Sequence, residues 1–285
     1  MAKVRVVTTT TDLAAIAREV GGPHVEVTAI TRGTADPHYV EAKPSYVLKL
    51  HRADLLIHIG LELEIGWLPA LLTASRNGAI QLGSPGNLNA SDGIDVIEVP
   101  AVVTRAEGDI HPYGNPHYWT DPRNGVRIAD AIAQRLGEID SANASDYRVR
   151  AEEFSSRLAD RIAGWERKIT PHKGKLVVTY HKSMSYLLRW LGLKQAGAIE
   201  RKPGIPPSGS HIAALIQMMK TRKVPLVLVE TFYPRKDPTM VAEKTGAKLL
   251  ILPTSVGGRP GIKSYIGLFG AIVKEIAEAL AAPRE

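Results

Sequence analysis

The sequence predicts an α/β protein of two lobes with mainly parallel sheets, joined by one long rigid helix. Three observations carry this. Runs of apolar, β-branched residues alternate with segments of helical period along most of the chain, as parallel βαβ units require. Residues 144–169 break the alternation, with neither proline nor a strand signal, and Tyr147, Ala151, Phe154, Leu158, Ile162, Trp165 and Ile169 recur on one helical face. The length, 285 residues with 44% hydrophobic, suffices for about two domains.

Taken in order, residues 3–8 read as a strand and 12–20 as a helix that Asp12 can N-cap. Strands follow at 25–30, 54–59 and 95–99, with helices at 44–52 and 123–136. At 1.5 Å per residue the 144–169 helix is about 39 Å long, and Pro171 and Gly174 separate it from the next strand, 175–180. Helices at 184–191 and 211–222, the latter after the cap signal Ser208-Gly209-Ser210, and strands at 226–230 and 248–252 complete the pattern. Because βα units stand on both sides of the long helix, it reads as a spacer between lobes; a core helix packed on a sheet is the alternative. The domains expected are an N-terminal lobe of residues 1–143, a linker helix of 144–170 and a C-terminal lobe of 171–285.

Charge divides along the same line. The net charge of +7 and a pI near 9.5 invite a nucleic-acid reading. Residues 1–170 carry 18 basic and 22 acidic side chains, whereas 171–285 carry 18 and 7. The excess belongs to the second lobe, which has no Lys/Arg run with interleaved aromatics, so no nucleic-acid partner is expected. No apolar run approaches the roughly 18 residues that span a bilayer. Cysteine is absent, so any transition metal must be held by His, Asp or Glu. The first residues lack the apolar core of a signal peptide, and composition fits either a cytoplasmic protein or an exported one whose signal has been removed.

Three of the nine histidines stand out. His38 follows Asp36-Pro37 and His117 follows Asn115-Pro116, each in a loop leading to a helix, and His181 directly follows the 175–180 strand. Residues just past strand ends share the crevice where open α/β sheets bind ligands, and three imidazoles with one further donor form a common zinc set. Solvated loop histidines are the alternative; a preceding proline lowers the entropy lost when a ring is committed to a metal.

Asp36-Pro37-His38 with Lys43-Pro44-Ser45, Ala53-Asp54-Leu55, Gly60-Leu61-Glu62-Leu63-Glu64 with Trp67-Leu68, Asn115-Pro116-His117-Tyr118-Trp119 with Asp121-Pro122, and Tyr180-His181 occur in that order. The set resembles the cluster A-I (cluster 9) zinc and manganese substrate-binding proteins of ABC importers over nearly the whole chain. The resemblance implies two α/β lobes joined by one long helix, an exported mature protein, and His38, His117 and His181 as three of four ligands. The family's usual fourth ligand, an Asp in a turn after the last strand, has no counterpart in Leu250-Ile251-Leu252-Pro253-Thr254-Ser255-Val256-Gly257-Gly258. Glu230, ending the Val227-Leu228-Val229 run, is the replacement candidate; a salt bridge to Arg235 or Lys236 is its other use, and a water can complete an open zinc site. Three imidazoles favour Zn2+, with Mn2+ second, since manganese sites carry more oxygen donors. His111 is a candidate supporting group or transient metal catcher, Asp12 and Asp121 are helix caps or orienting groups, and His58 reads as a satisfied core residue.

The expected function is capture of a divalent metal in the cleft between two lobes and its delivery to an ABC permease and its ATPase, without catalysis. Such a protein works in a periplasm or at the outer membrane surface, as a monomer that meets the membrane only through the permease or a lipid anchor. The alternative is a zinc-dependent hydrolase using a three-His open site with Glu230 as base, against which stand the missing His-Glu-x-x-His and Gly-x-Ser-x-Gly motifs.

Overall fold

The computed structural model describes residues 2–101, 111–200 and 204–282. In the first lobe β1 (Val4–Thr8) pairs in parallel with β2 (Val25–Ala29) and β3 (Leu55–His58), and β4 (Asn87–Asn89) extends the sheet to the order β2-β1-β3-β4. The second lobe repeats the order as β6-β5-β7-β8, from β5 (Leu176–Thr179), β6 (Lys194–Ala198), β7 (Leu226–Glu230) and β8 (Lys248–Leu252), again all parallel. Every residue of β3 and β7 is buried, as strands covered on both faces must be. The edge strands β4 (Asn-Leu-Asn) and β6 (Lys-Gln-Ala-Gly-Ala) carry no apolar pattern; their neighbours' backbones recruit them.

The strand predicted at 95–99 does not form. Glu98 takes a left-handed φ of 54°, which interrupts an extended run. The Ile97 N–H instead donates to the Tyr186 hydroxyl, and the Ile97 carbonyl accepts from the Asn115 N–H. The segment thus buttresses the loop before His117.

Nine α-helices lie among the described residues: α1 (Thr11–Gly21), α2 (Pro44–His51), α3 (Leu68–Ser75), α4 (Pro122–Ile139), α5 (Ala144–Ile169), α6 (Ser185–Leu191), α7 (Gly209–Thr221), α8 (Lys236–Thr245) and α9 (Tyr265–Ala281). None is long and apolar enough to cross a membrane. The long helix α5 has the bounds its apolar stripe predicts. Tyr147, Ala151, Phe154, Leu158 and Ile169 are buried, with Ile162 and Trp165 packed beside them, and the stripe meets α1, α4 and α9. One continuous core runs from Val6 and Leu55 of the first sheet through Phe154 and Leu158 to Leu226, Leu228 and Phe269. The lobes therefore share their interior, and α5 both spaces them and packs in the core.

Asp12 does not cap α1. Thr10 does, accepting the Leu13 N–H, while Asp12 is fully buried and accepts the Val256 N–H of the β8–α9 loop at 2.9 Å. This bond ties the first lobe to the second. Burial pushes the Asp12 carboxyl up to about 6 against the opposing bonds from Val256 and Ser255. A raised folded-state value means that the folded chain holds the proton more tightly, so the stability linked to it is full below the unfolded value and is lost as pH rises through about 6. Asp12→Asn keeps an acceptor for Val256 and offers an amide to Ser255. It is expected to raise stability at pH 8 by up to about 3 kcal/mol and to flatten the slope between pH 4 and 7. Denaturant unfolding at several pH values checks this; a variant with the wild-type slope contradicts it.

Candidate metal centre

The three predicted histidines converge. Potential ligand atoms of His38, His117 and His181 all lie within 4.8 Å of one another, with ring centroids 5.0 Å (His38–His117), 5.7 Å (His38–His181) and 5.6 Å (His117–His181) apart. His38 sits in the loop after β2, His117 in the loop before α4 and His181 two residues past the end of β5. Both β1/β3 and β5/β7 are points where strand order reverses, so each sheet opens its crevice toward the same place.

A shared local device explains the two Pro-His motifs. In each, the side chain two residues earlier binds both the backbone and the ring of the histidine. Asp36 Oδ1 accepts the His38 N–H at 3.0 Å and Nδ1 at 2.6 Å; Asn115 Oδ1 accepts the His117 N–H and Nδ1, both at 2.9 Å. The Asn115 amide is held the right way round because its Nδ2 donates to Glu98 Oε2 and to the Lys182 carbonyl. Proline between the two fixes the turn. Trp67 Nε1 donates to the Pro37 carbonyl, pinning the His38 loop. His181 is oriented across strands, its Nδ1 lying 2.5 Å from Glu200 Oε2 just past β6.

These partners select one tautomer. Carboxylate and amide oxygens only accept, so each Nδ1 carries the hydrogen and each Nε2 presents a lone pair to the centre, the arrangement that metal-ligating histidines adopt. His117 Nε2 is buried with no hydrogen-bond partner, an orphan that a metal would satisfy. Burial first, then the neighbouring His38, His181 and His111, hold His117 well below the usual imidazole range, so it stays neutral. For Asp36, burial works to raise the carboxyl, but the hydrogen bonds from the His38 ring and backbone outweigh it and hold it low.

Glu230 lies outside the group of three. It is fully buried at the end of β7, Oε1 accepts the Ser183 hydroxyl, and Oε2 has no partner. Burial first, then Asp36 and Glu200, push its carboxyl well above the usual range. Among the described residues it pairs with neither Arg235 nor Lys236. Asp121 caps α4 and binds Arg123, so it does not touch a ligand histidine; His58 bonds Asn87 in the core. Sequence reasoning missed Asp36, Asn115 and Glu200 as orienting groups. The Asx-Pro-His pattern signals the first two, whereas Glu200 reaches His181 only through the pairing of β5 with β6.

Removing an orienting partner of a metal-bound imidazole costs roughly tenfold to a hundredfold in affinity. Glu200→Ala is expected to weaken zinc binding by that much, while Asp121→Asn leaves affinity within about twofold because its bonds serve the helix end. Competition titration against a chelator checks both; equal affinities in the two variants contradict the assignment.

Comparison with known proteins agrees with this geometry. The model of a family described as the zinc-uptake complex component A, periplasmic (ZnuA), matches residues 6–279. The chain is similar to the metal ABC transporter substrate-binding lipoprotein FimA of Streptococcus parasanguinis, 28% identical over 284 residues that cover 98% of this chain and 89% of that protein. It is also similar to the manganese ABC transporter substrate-binding lipoprotein PsaA of Streptococcus pneumoniae serotype 4, 27% identical over 98% of this chain and 90% of that one. A crystal structure of ZnuA superposes with a TM-score of 0.82 at 25% identity, covering 99% of this chain and all of the other.

Proposed function

The chain belongs to the family of the periplasmic zinc-uptake complex component A, ZnuA, and we propose that zinc is its cargo, held through Nε2 of His38, His117 and His181. It is the extracytoplasmic substrate-binding protein of an ABC importer for a divalent transition metal, a binding protein and not an enzyme. An ABC permease and its ATPase are its partners. Its place is the periplasm or the outer membrane surface.

The observation that carries the zinc reading is the donor set, three imidazoles in one tautomer converging from both lobes. Nitrogen donors suit zinc, whereas manganese prefers oxygen. Glu230 is a buried second-lobe carboxylate beside this group and the candidate further donor read from the sequence, and the lobes are taken as residues 1–143 and 171–285 about the 144–170 helix. In this reading the protein acts as a monomer without nucleic acid, reaching the membrane through the permease or a lipid anchor. The hydrolase alternative finds no support among the relatives, and its proposed base is sealed against Ser183.

Metal analysis of protein purified without chelator tests the proposal. One zinc per chain and no ester or peptide hydrolysis are expected; manganese at full occupancy in a zinc-replete preparation contradicts it.

A further inference from the structure

A further imidazole, partly exposed, borders the three histidines. His111 Nε2 lies 3.3 Å from His38 Nε2, its ring stacks on His38 at 5.3 Å between centroids, and it stands 6.2 Å from the His117 ring. We infer that His111 is the fourth metal donor, closing a four-histidine zinc site from the solvent side. This rests on the zinc reading above and assigns the position that the sequence left to Glu230 or water.

Geometry is the first support. Two nitrogens bound to one tetrahedral zinc at 2.0–2.1 Å are about 3.3 Å apart, and the centroids of their rings stand about 5 Å apart. The His38–His111 pair already has both separations. His38 Nδ1 faces Asp36, so His38 Nε2 carries a lone pair and the hydrogen between the two rings belongs to His111. A zinc ion placed there accepts both lone pairs when His111 is the neutral tautomer with its hydrogen on Nδ1. His111 lies outside the tight group of His38, His117 and His181, so the ring closes inward over an ion that the more buried His117 and His181 have already engaged.

Placement of the loop is the second. His111 opens a turn closed by the Gly114 N–H on the His111 carbonyl at 3.1 Å. Gly114 takes a φ of 104°, and a Cβ there would meet Val96 Cγ1 at 2.4 Å, so only glycine fits. The turn and His117 thus form one short stretch that brings two imidazoles to one point.

Charge is the third. Counted as carboxylates, Asp36 and Glu200, which orient His38 and His181, already balance a dication. A neutral imidazole adds a donor and leaves that balance intact, whereas an ionised Glu230 in the same position would bring the buried sum to −1, which is costly. One Glu230 oxygen is already engaged by Ser183. The loop from Leu252 to Gly258 supplies no carboxylate. An all-nitrogen set further disfavours manganese.

X-ray absorption of the zinc-loaded full chain, with competition titrations of wild type, His111→Ala, His111→Gln and His117→Ala, tests the inference. Four imidazoles per zinc in the wild type, three with one oxygen in both His111 variants, and affinity reduced about a hundredfold in them are expected. Three imidazoles in the wild type, or wild-type affinity in both His111 variants, overturns it while leaving the triad intact. A wild type that binds no zinc, or a His117→Ala variant that binds as tightly as wild type, overturns the zinc reading itself.

Discussion

His117→Ala is expected to abolish most of the rise in melting temperature that zinc confers on this chain. At a free zinc concentration a thousandfold above the dissociation constant, binding stabilises the folded state by about 4 kcal/mol. With an unfolding entropy of about 2.1 cal/mol/K per residue, that corresponds to a shift of about 7 °C for a chain of this length. His117 carries the binding for three reasons visible in the structure. It adjoins both His38 and His181, 5.0 and 5.6 Å from their rings. Its Nε2 is buried without a partner, and its environment keeps it neutral. The readout is the difference between melting temperatures with and without zinc, so any effect of the substitution on the metal-free protein cancels. A His117→Ala shift equal to that of the wild type contradicts the site.

The second large effect concerns the shared core. Phe154 lies in the middle of α5, almost fully buried, with its ring 6.4 Å from that of Tyr265 in α9. Truncating a buried phenylalanine removes its transfer energy and leaves a cavity, about 3–5 kcal/mol in all. Phe154→Ala is therefore expected to lower the melting temperature by roughly 5–8 °C. Because residues of both sheets and α5 belong to one cluster, the loss should move a single calorimetric transition. Two separated transitions, only one of them shifted, would show that the lobes unfold independently and that α5 is a spacer alone.

Periodicity made the central parts of the fold legible. The α5 stripe and the apolar runs of β3, β5 and β7 are buried on account of their own composition, so the pattern and the structure agree there. Where an element owes its form to a neighbour, the sequence is silent or misleading. The polar edge strands β4 and β6 are examples, as is the segment at 95–99, whose alternation is cancelled by the left-handed Glu98. The same division holds at the metal centre. His38, His117 and His181 are marked by local context, two by Asx-Pro and one by its position after a strand. Glu200, Asp12 and His111 act through contacts 19, 244 and 73 residues away in sequence, and no local pattern reports such contacts. Glu230 was legible as a costly carboxylate ending an apolar strand, and its hydrogen bond to Ser183 became visible only once β5 and β7 were paired.

One measurement bears most directly on the claim that both lobes grip a single dication: a crystal structure of the chain loaded with one equivalent of zinc, with anomalous data collected at the zinc edge. One anomalous peak is expected at 2.0–2.1 Å, the usual zinc–imidazole distance, from Nε2 of His38, His117 and His181 together. A fully occupied peak bound by residues of one lobe only, or by none of these three histidines, would contradict it.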